Sequence, residues 1–148
     1  LIESHFPGMD YVRKKNLLMT SGKIAAGTMH NTISGRRLSG ASSNGIGALT
    51  CQNQLLQTRL TPAGPSYRIA LGTDILLTST GVNCAEAVDA VTVLSREELK
   101  VTLLDDGTNG DAIAKDGIYS LRFIPSAIGD YSLDFGQGDI LTISVYSP

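Results

Sequence analysis

The feature of this sequence that most limits its fold is a series of short apolar runs with a period of two. The runs are YRIAL (67–71), VTV (91–93), KVTLL (100–104), YSLRF (119–123), YSLDF (131–135) and LTISVY (141–146). Successive side chains of a strand point to opposite faces, so each run has one apolar face. With ILLTSTGVNC (75–84) there are about seven strands, which predicts an antiparallel sandwich of immunoglobulin-like or fibronectin-like type.

Two of these runs are similar in sequence, GIYSLRF and GDYSLDF, and a single segment, IPSAIGD, joins them. We predict that they are neighbouring strands of one hairpin that put their aromatic side chains into the same core.

The first part of the chain has a different character. Residues 1–60 contain seven Lys and Arg against two acidic residues, whereas residues 61–148 contain five against twelve. Asp10 is suited to cap a helix that Gly22 would end, and residues 23–43 are rich in Gly, Ser and Thr. We therefore predict a helical and loop segment at 1–60 and a β-sandwich at 61–148, which makes the chain α+β overall.

Composition argues against two classes of partner. The basic residues are scattered and no aromatic residues lie between them, so we do not expect a nucleic-acid surface. No apolar run approaches the length of a membrane-spanning helix, which is about 18 residues or more.

The two cysteines, Cys51 and Cys84, lie on either side of the predicted boundary. A disulfide between them is the preferred interpretation, and two buried thiols are the alternative. Neither cysteine belongs to a C-x-x-C pair, and His5 and His30 are the only histidines, so a zinc site is not expected.

The most acidic segment is LLDDGTNGDAIAKDG, at 103–117. With Asp105 as the first position of a calcium loop, Asn109, Asp111 and Asp116 fall at the fifth, seventh and twelfth positions. The match is partial, because Gly107 has no side-chain oxygen, and the flanking strands exclude an EF-hand. The preferred interpretation is a structural turn, in which Asp and Asn bond to nearby backbone groups. Calcium binding is the alternative.

No catalytic constellation is visible in the residues. A nucleophile needs a base and an orienting group. Neither histidine lies in such a motif, and SGASSNG is not the G-x-S-x-G turn of a nucleophile elbow.

The beginning of the chain is more informative. It reads LIESHFPGMD, followed by VRKKNLLMTSG, GRRL and IGAL. In order and spacing, residues 1–49 resemble the end of a subtilisin-like serine protease domain. The resemblance implies that the catalytic Asp, His and Ser would precede Leu1, so no catalytic residue is assigned to this chain. It also implies a secreted or periplasmic parent protein, itself a serine endopeptidase.

The leading prediction is thus a non-catalytic C-terminal portion of such a protease, with a β-domain that supports stability or binding of a substrate or surface. Its partner would be the preceding catalytic domain or chain. The alternative is a stand-alone extracellular adhesion or carbohydrate-binding module. Either way, Leu17, Leu18, Ile24 and Ile33 would be exposed unless residues 1–60 dock on the β-domain or on a partner.

Overall fold

The computed structural model describes residues 6–21, 23–24, 36–37, 55–95 and 100–148. One helix, α1 (Tyr11–Ser21), is followed by two short strands, β1 (Lys23–Ile24) and β2 (Arg36–Arg37), which pair antiparallel. Eight strands then follow: β3 (Leu56–Thr61), β4 (Ser66–Ala70), β5 (Ile75–Val82), β6 (Ala90–Ser95), β7 (Lys100–Leu104), β8 (Ile118–Phe123), β9 (Gly129–Asp134) and β10 (Ile140–Tyr146). Among the residues that the structure describes, no helix is long and apolar enough to cross a membrane.

The eight strands form a sandwich of two layers. Their hydrogen-bonded order is β3-β5-β8-β7-β6-β9-β10-β4. Only one residue pair, Leu104 with Ser120, joins β7 to β8, so the ladder bends there. One layer is β3-β5-β8 and the other is β7-β6-β9-β10-β4. The predicted sandwich is confirmed.

The period-two pattern explains most of the core. The buried cluster takes Leu77, Tyr119 and Phe123 from the first layer, and it takes its other members from the second. Those other members are Val91, Val93, Val101, Leu103, Leu133, Phe135, Leu141, Ile143 and Val145. The apolar faces of VTV, KVTLL and LTISVY are buried as predicted.

Strand β4 departs from its predicted pattern. Tyr67 and Leu71, which the alternation placed on a buried face with Ile69, are 37% and 39% exposed. The reason is that β4 is an edge strand, and it pairs with β10 in parallel rather than antiparallel orientation.

The predicted hairpin of GIYSLRF and GDYSLDF is wrong. Strand β8 pairs with β5 and β7, whereas β9 pairs with β10 and β6, so the two strands lie in different layers. The shared core was predicted correctly, because Phe123 and Tyr131 meet edge to face with ring centroids 5.6 Å apart. Two strands that face the same core from opposite layers have the same alternation as two neighbours in one layer.

Arg59 links the two layers where the chain passes from β3 to β4. Its guanidinium donates to both carboxylate oxygens of Asp139, at 3.1 and 2.7 Å, and to the backbone carbonyls of Pro62 and Gly64. The side chains of Arg59 and Asp139 are only 3% and 12% exposed. A buried cation needs such complete pairing, and the pairing fixes the crossover against the β9–β10 turn.

Helix α1 begins as the sequence predicts, with Asp10 at its cap. The Asp10 Oδ1 atom accepts a hydrogen bond of 2.9 Å from the backbone N–H of Arg13. Leu17 is fully buried in a second, smaller cluster with Leu56 and Val82. Five positions separate Val82 from Leu77 in β5, so the two side chains lie on opposite faces. The helix therefore covers the outer face of the first layer.

The expectation that residues 1–60 dock on the β-domain is met at Leu17. Leu18, on the other side of the helix, is 40% exposed. The side chain of Ile24 and all of Ile33 lie outside the described residues. Strand β3 spans the predicted boundary at residues 60–61, and the division into two domains stays a prediction.

The cysteine pairing is only partly visible. Cys84 is half-buried beside the second cluster and is not a free thiol. Cys51 lies outside the described residues, so the disulfide between Cys51 and Cys84 stays a prediction.

Candidate metal centre and the helix junction

The acidic loop, residues 105–117, carries the chain from β7 in one layer to β8 in the other. Several of its residues have left-handed backbone conformations, among them Asn109 at φ 51° and Lys115 at φ 64°. Residues other than Gly, Asn and Asp rarely adopt this backbone conformation. The loop therefore follows a specific path.

Three carboxylates meet inside this loop. One oxygen of each of Asp105, Asp111 and Asp116 lies within 4.8 Å of the others. Asp111 is 7% exposed, and the other two are half-buried. The structure thus brings together three of the four residues predicted as calcium ligands.

Backbone N–H groups already bond to these carboxylates. Gly107 donates to Asp111 Oδ2 at 2.6 Å, and Ile118 donates to Asp116 Oδ1 at 2.9 Å. Asp105 accepts from the N–H groups of Asp116 and Gly117 at 3.2 and 2.8 Å. These are the local bonds that the structural-turn interpretation requires.

The fourth predicted ligand, Asn109, is exposed at the outer part of the loop. Its backbone carbonyl accepts a hydrogen bond of 3.0 Å from the N–H of Arg122 in β8. Asn109 therefore ties the loop to the neighbouring strand.

The donor set has the chemistry of a hard-cation site. Calcium prefers oxygen ligands, and carboxylates can bind it through one or both oxygens. The backbone bonds described above use Asp111 Oδ2 and Asp116 Oδ1, and none of them uses the second oxygen of either carboxylate. Without a cation, three carboxylates this close repel one another. Calcium binding stays a prediction.

Side chains of helix α1 donate hydrogen bonds to the end of the acidic loop. Lys15 Nζ donates to the carbonyl of Asp116 at 2.8 Å. Asn16 Nδ2 donates to the carbonyls of Gly117 and Gly81, at 3.0 and 2.9 Å. We call these bonds, together with the cluster around Leu17, the helix junction.

Gly117 is essential to the close approach of helix α1 and the acidic loop. A Cβ atom on Gly117 would lie 2.4 Å from Val12 Cγ1 and 2.8 Å from Asn16 Nδ2. The residue also has a φ of 85°. Steric space and backbone conformation therefore both require glycine here.

Tyr119 lies beside the junction at the start of β8. Its hydroxyl donates to the carbonyl of Val88 at 2.6 Å. Burial, together with the smaller effect of the negative charges of Asp105, Asp89 and Asp10, raises the pKa of Tyr119 to about 12.

Comparison with known proteins adds one finding. The family model described as the conditioned medium factor 2nd Ig-like domain matches residues 75–136. The β-domain is immunoglobulin-like. The match runs from β5 past β9 and includes the whole acidic loop. No curated protein and no solved structure matches the chain.

The immunoglobulin-like half of the predicted architecture is thereby confirmed. The comparisons return no protease, so the resemblance of residues 1–49 to subtilisin-like proteases stays a prediction. His5 and His30 lie outside the described part of the chain, as do residues 1–5, 22, 35, 38 and 46–49 of the stretches that carry that resemblance.

Sequence reasoning did not identify the residues of the helix junction. Lys15 and Asn16 look like the solvated face of a short helix, since nothing in their spacing shows that backbone carbonyls lie opposite them. Tyr119 was assigned to the core, and nothing in the sequence pattern indicated the carboxylates around it.

Proposed function

We propose that this chain is the non-catalytic C-terminal portion of a secreted subtilisin-like serine protease, and that its immunoglobulin-like domain anchors the segment before it. The supporting observation is the helix junction. Leu17 is buried on the β-domain, and Asn16 bonds to backbone carbonyls of two different β-domain segments.

Such an anchor has a physical rationale. A short helix outside a larger fold is marginal in water, and most of its stability comes from packing of its apolar face. The β-domain supplies that packing here, so it would prevent the end of a catalytic domain from fraying.

The coding sequence upstream of Leu1 tests the protease assignment. We expect a Gly-Thr-Ser nucleophile motif about one helix length before Leu1, since the resemblance places the catalytic serine on the preceding helix. An upstream sequence without this motif would overturn the assignment.

The anchoring role has a separate test in the parent protein. Leu17→Ala should shorten the lifetime of proteolytic activity on heating, and Leu18→Ala is the matched control because Leu18 is partly exposed. Equal lifetimes for Leu17→Ala and the unaltered protein would contradict the anchoring role.

An extracellular location forms part of this proposal. Cys84 is not a free thiol, as expected where disulfides form, and the matched family is described as a conditioned medium factor. An export assay on the parent protein tests the location. Mass spectrometry of the Cys51 and Cys84 peptides without reduction tests the pairing.

We further propose that Asp105, Asp111 and Asp116 bind a structural calcium ion that rigidifies the acidic loop. Extracellular calcium modules bind with dissociation constants of about 0.1–1 mM, so millimolar calcium should raise the Tm by a few degrees. Asp111→Asn should abolish the rise. Asp106→Asn is the matched control, since Asp106 lies in the loop but outside the three-carboxylate cluster.

Magnesium is the control for non-specific electrostatic screening. It carries the same charge as calcium but requires stricter octahedral geometry. An equal rise with magnesium, or no rise with millimolar calcium, would remove the metal proposal. The loop would then be a structural turn only.

The second interpretation of the sequence, an extracellular adhesion or carbohydrate-binding module, remains the alternative. It predicts saturable binding of a glycan or surface by the isolated chain. It also predicts no protease sequence upstream.

A further inference from the structure

Strand β4 lies at one end of the second layer, and its far side has no neighbouring strand among the described residues. Two backbone hydrogen bonds fix β4 on β10: Thr142 donates to Pro65 at 3.0 Å, and Leu71 donates to Tyr146 at 2.9 Å. Successive residues of a strand direct their N–H and C=O groups to opposite sides. The residues that direct theirs to the free edge are therefore Ser66, Arg68 and Ala70.

Most of these edge groups are open to a partner. The carbonyl of Ala70 accepts a hydrogen bond of 3.0 Å from the N–H of Thr73, whereas no described residue bonds to the N–H or carbonyl of Arg68. Ser66 and Arg68 are exposed. An exposed edge can pair with one more strand, in which main-chain hydrogen bonds give affinity and side chains give specificity.

Arg68 supplies the charge of this edge. It is the only charged residue between positions 60 and 73, and its guanidinium lies over the ring of Tyr146, 4.8 Å from the centroid. Arg59 and Arg122 each form an ion pair with an aspartate, whereas Arg68 forms none with a described residue. A carboxylate on an added strand would supply that ion pair.

A second copy of this chain is a poor partner for the edge. The longest antiparallel pairing of two β4 edges joins Ser66 to Ala70 and places one Arg68 directly opposite the other. Like charges in such a position are destabilising. The charge of the edge therefore favours an acidic segment of another protein.

The side chains next to Arg68 define the rest of the partner's pattern. Tyr67 and Leu71 are 37% and 39% exposed, and the alternation of the strand places them on the face opposite to Arg68. Residues directly opposite each other in an antiparallel pair share a face of the sheet. The residue opposite Arg68 should therefore be acidic, and its two neighbours should be apolar.

We propose that the free edge of β4 binds an extended segment of a partner protein by strand addition, and that this segment has an acidic residue between two apolar residues. The acidic residue lies opposite Arg68, exchanges two main-chain hydrogen bonds with it and pairs with its guanidinium. This surface does not depend on the protease assignment or on calcium.

The test is an amide NMR titration of the isotope-labelled full chain with three synthetic peptides. The first is acetyl-Thr-Val-Glu-Val-Thr-amide, and the second has Lys in place of Glu. The third has an N-methylated Glu, which cannot donate to the carbonyl of Arg68. We expect saturable shifts of the Arg68 and Ala70 amides with the first peptide, weaker binding of the second and no binding of the third.

Arg68→Gln should weaken binding of the Glu peptide by about two- to fivefold, the range for an exposed ion pair. Lys100→Gln is the matched control, since Lys100 is exposed on β7 at the opposite end of the same layer. Absence of saturable shifts, or equal binding of the N-methylated peptide, would overturn the proposal. Shifts of the same amides with protein concentration alone would also overturn it, because a second copy would then occupy the edge.

Discussion

The interior of the sandwich and the helix junction are both buried, but they are stabilised in different ways. In the interior, aliphatic and aromatic side chains from two layers meet, and almost any well-packed apolar set satisfies such a region. At the helix junction, Lys15 and Asn16 bond to specific carbonyls, and the closest contact requires a glycine at 117.

The difference shows which part of the chain tolerates change. Hydrophobic burial is non-directional, so the interior should accept substitutions that conserve volume. Hydrogen bonds to buried carbonyls are directional, and a lost partner leaves a polar group unsatisfied. We therefore expect small substitutions at the helix junction to lower stability more than the change in side-chain volume alone would predict.

The largest effect is expected in the interior. Phe135 is fully buried, and Phe135→Ala should lower the free energy of unfolding by about 3–5 kcal/mol through lost burial and a cavity. Chemical denaturation measures this loss. Ile128→Ala is the control, since Ile128 is 61% exposed and its truncation should have little effect. Comparable losses for both variants would contradict the assigned core.

The second prediction compares neighbouring leucines of α1. Leu17→Ala should cost about 2–4 kcal/mol, whereas Leu18→Ala should cost well under half as much because its side chain is partly exposed. Hydrogen exchange should locate the loss in α1 and leave the amides of β9 and β10 protected. Faster exchange throughout the sandwich would show that the junction is not a separate unit.

The third prediction isolates the steric part of the junction. Gly117 and Gly72 have nearly the same φ, 85° and 86°, but a Cβ at Gly72 would meet nothing within 4 Å. Both alanine variants should lose about 1–2 kcal/mol from the left-handed conformation. Gly117→Ala should lose a further 1–3 kcal/mol, about the cost of overpacking. Equal losses in a denaturation experiment would mean that α1 moves away without penalty.

The fourth prediction concerns the alkaline limit of stability. The folded-state pKa of Tyr119 is raised to about 12, from an unfolded value of 10.0. Between these pH values only the folded state keeps the proton, so stability should fall as the pH rises from 10 to 12. The loss attributable to this group is at most about 3 kcal/mol, at about 1.4 kcal/mol for each pH unit between the two pKa values. Tyr119→Phe should flatten that part of the pH profile, and an unchanged slope would contradict the assignment.

Much of the sandwich could be predicted from the sequence because its strands alternate cleanly. Val91 with Val93, and Leu141 with Ile143, lie on the buried faces that the alternation predicts. The pairing of strands could not be predicted in the same way. Alternation identifies a buried face but not the layer that carries it, so β8 and β9 were wrongly placed in one hairpin.

The acidic loop was predictable in composition and partly in geometry. The spacing identified Asp105, Asp111 and Asp116, and the structure brings their carboxylates together. It did not identify Lys15 and Asn16, which are 101 positions away from the loop carbonyls that they bind. Hydrogen bonds over such separations leave no periodic signal in a sequence.

The sequence by itself determined an immunoglobulin-like or fibronectin-like sandwich, a capped helix before it and an acidic turn within it. These features depend on local rules, namely side-chain alternation, capping and turn preference. Only the tertiary structure decided which strands share a layer, where α1 docks and that β4 is an edge strand. These features depend on contacts between residues distant in the chain, which form only when the two layers and the helix pack together.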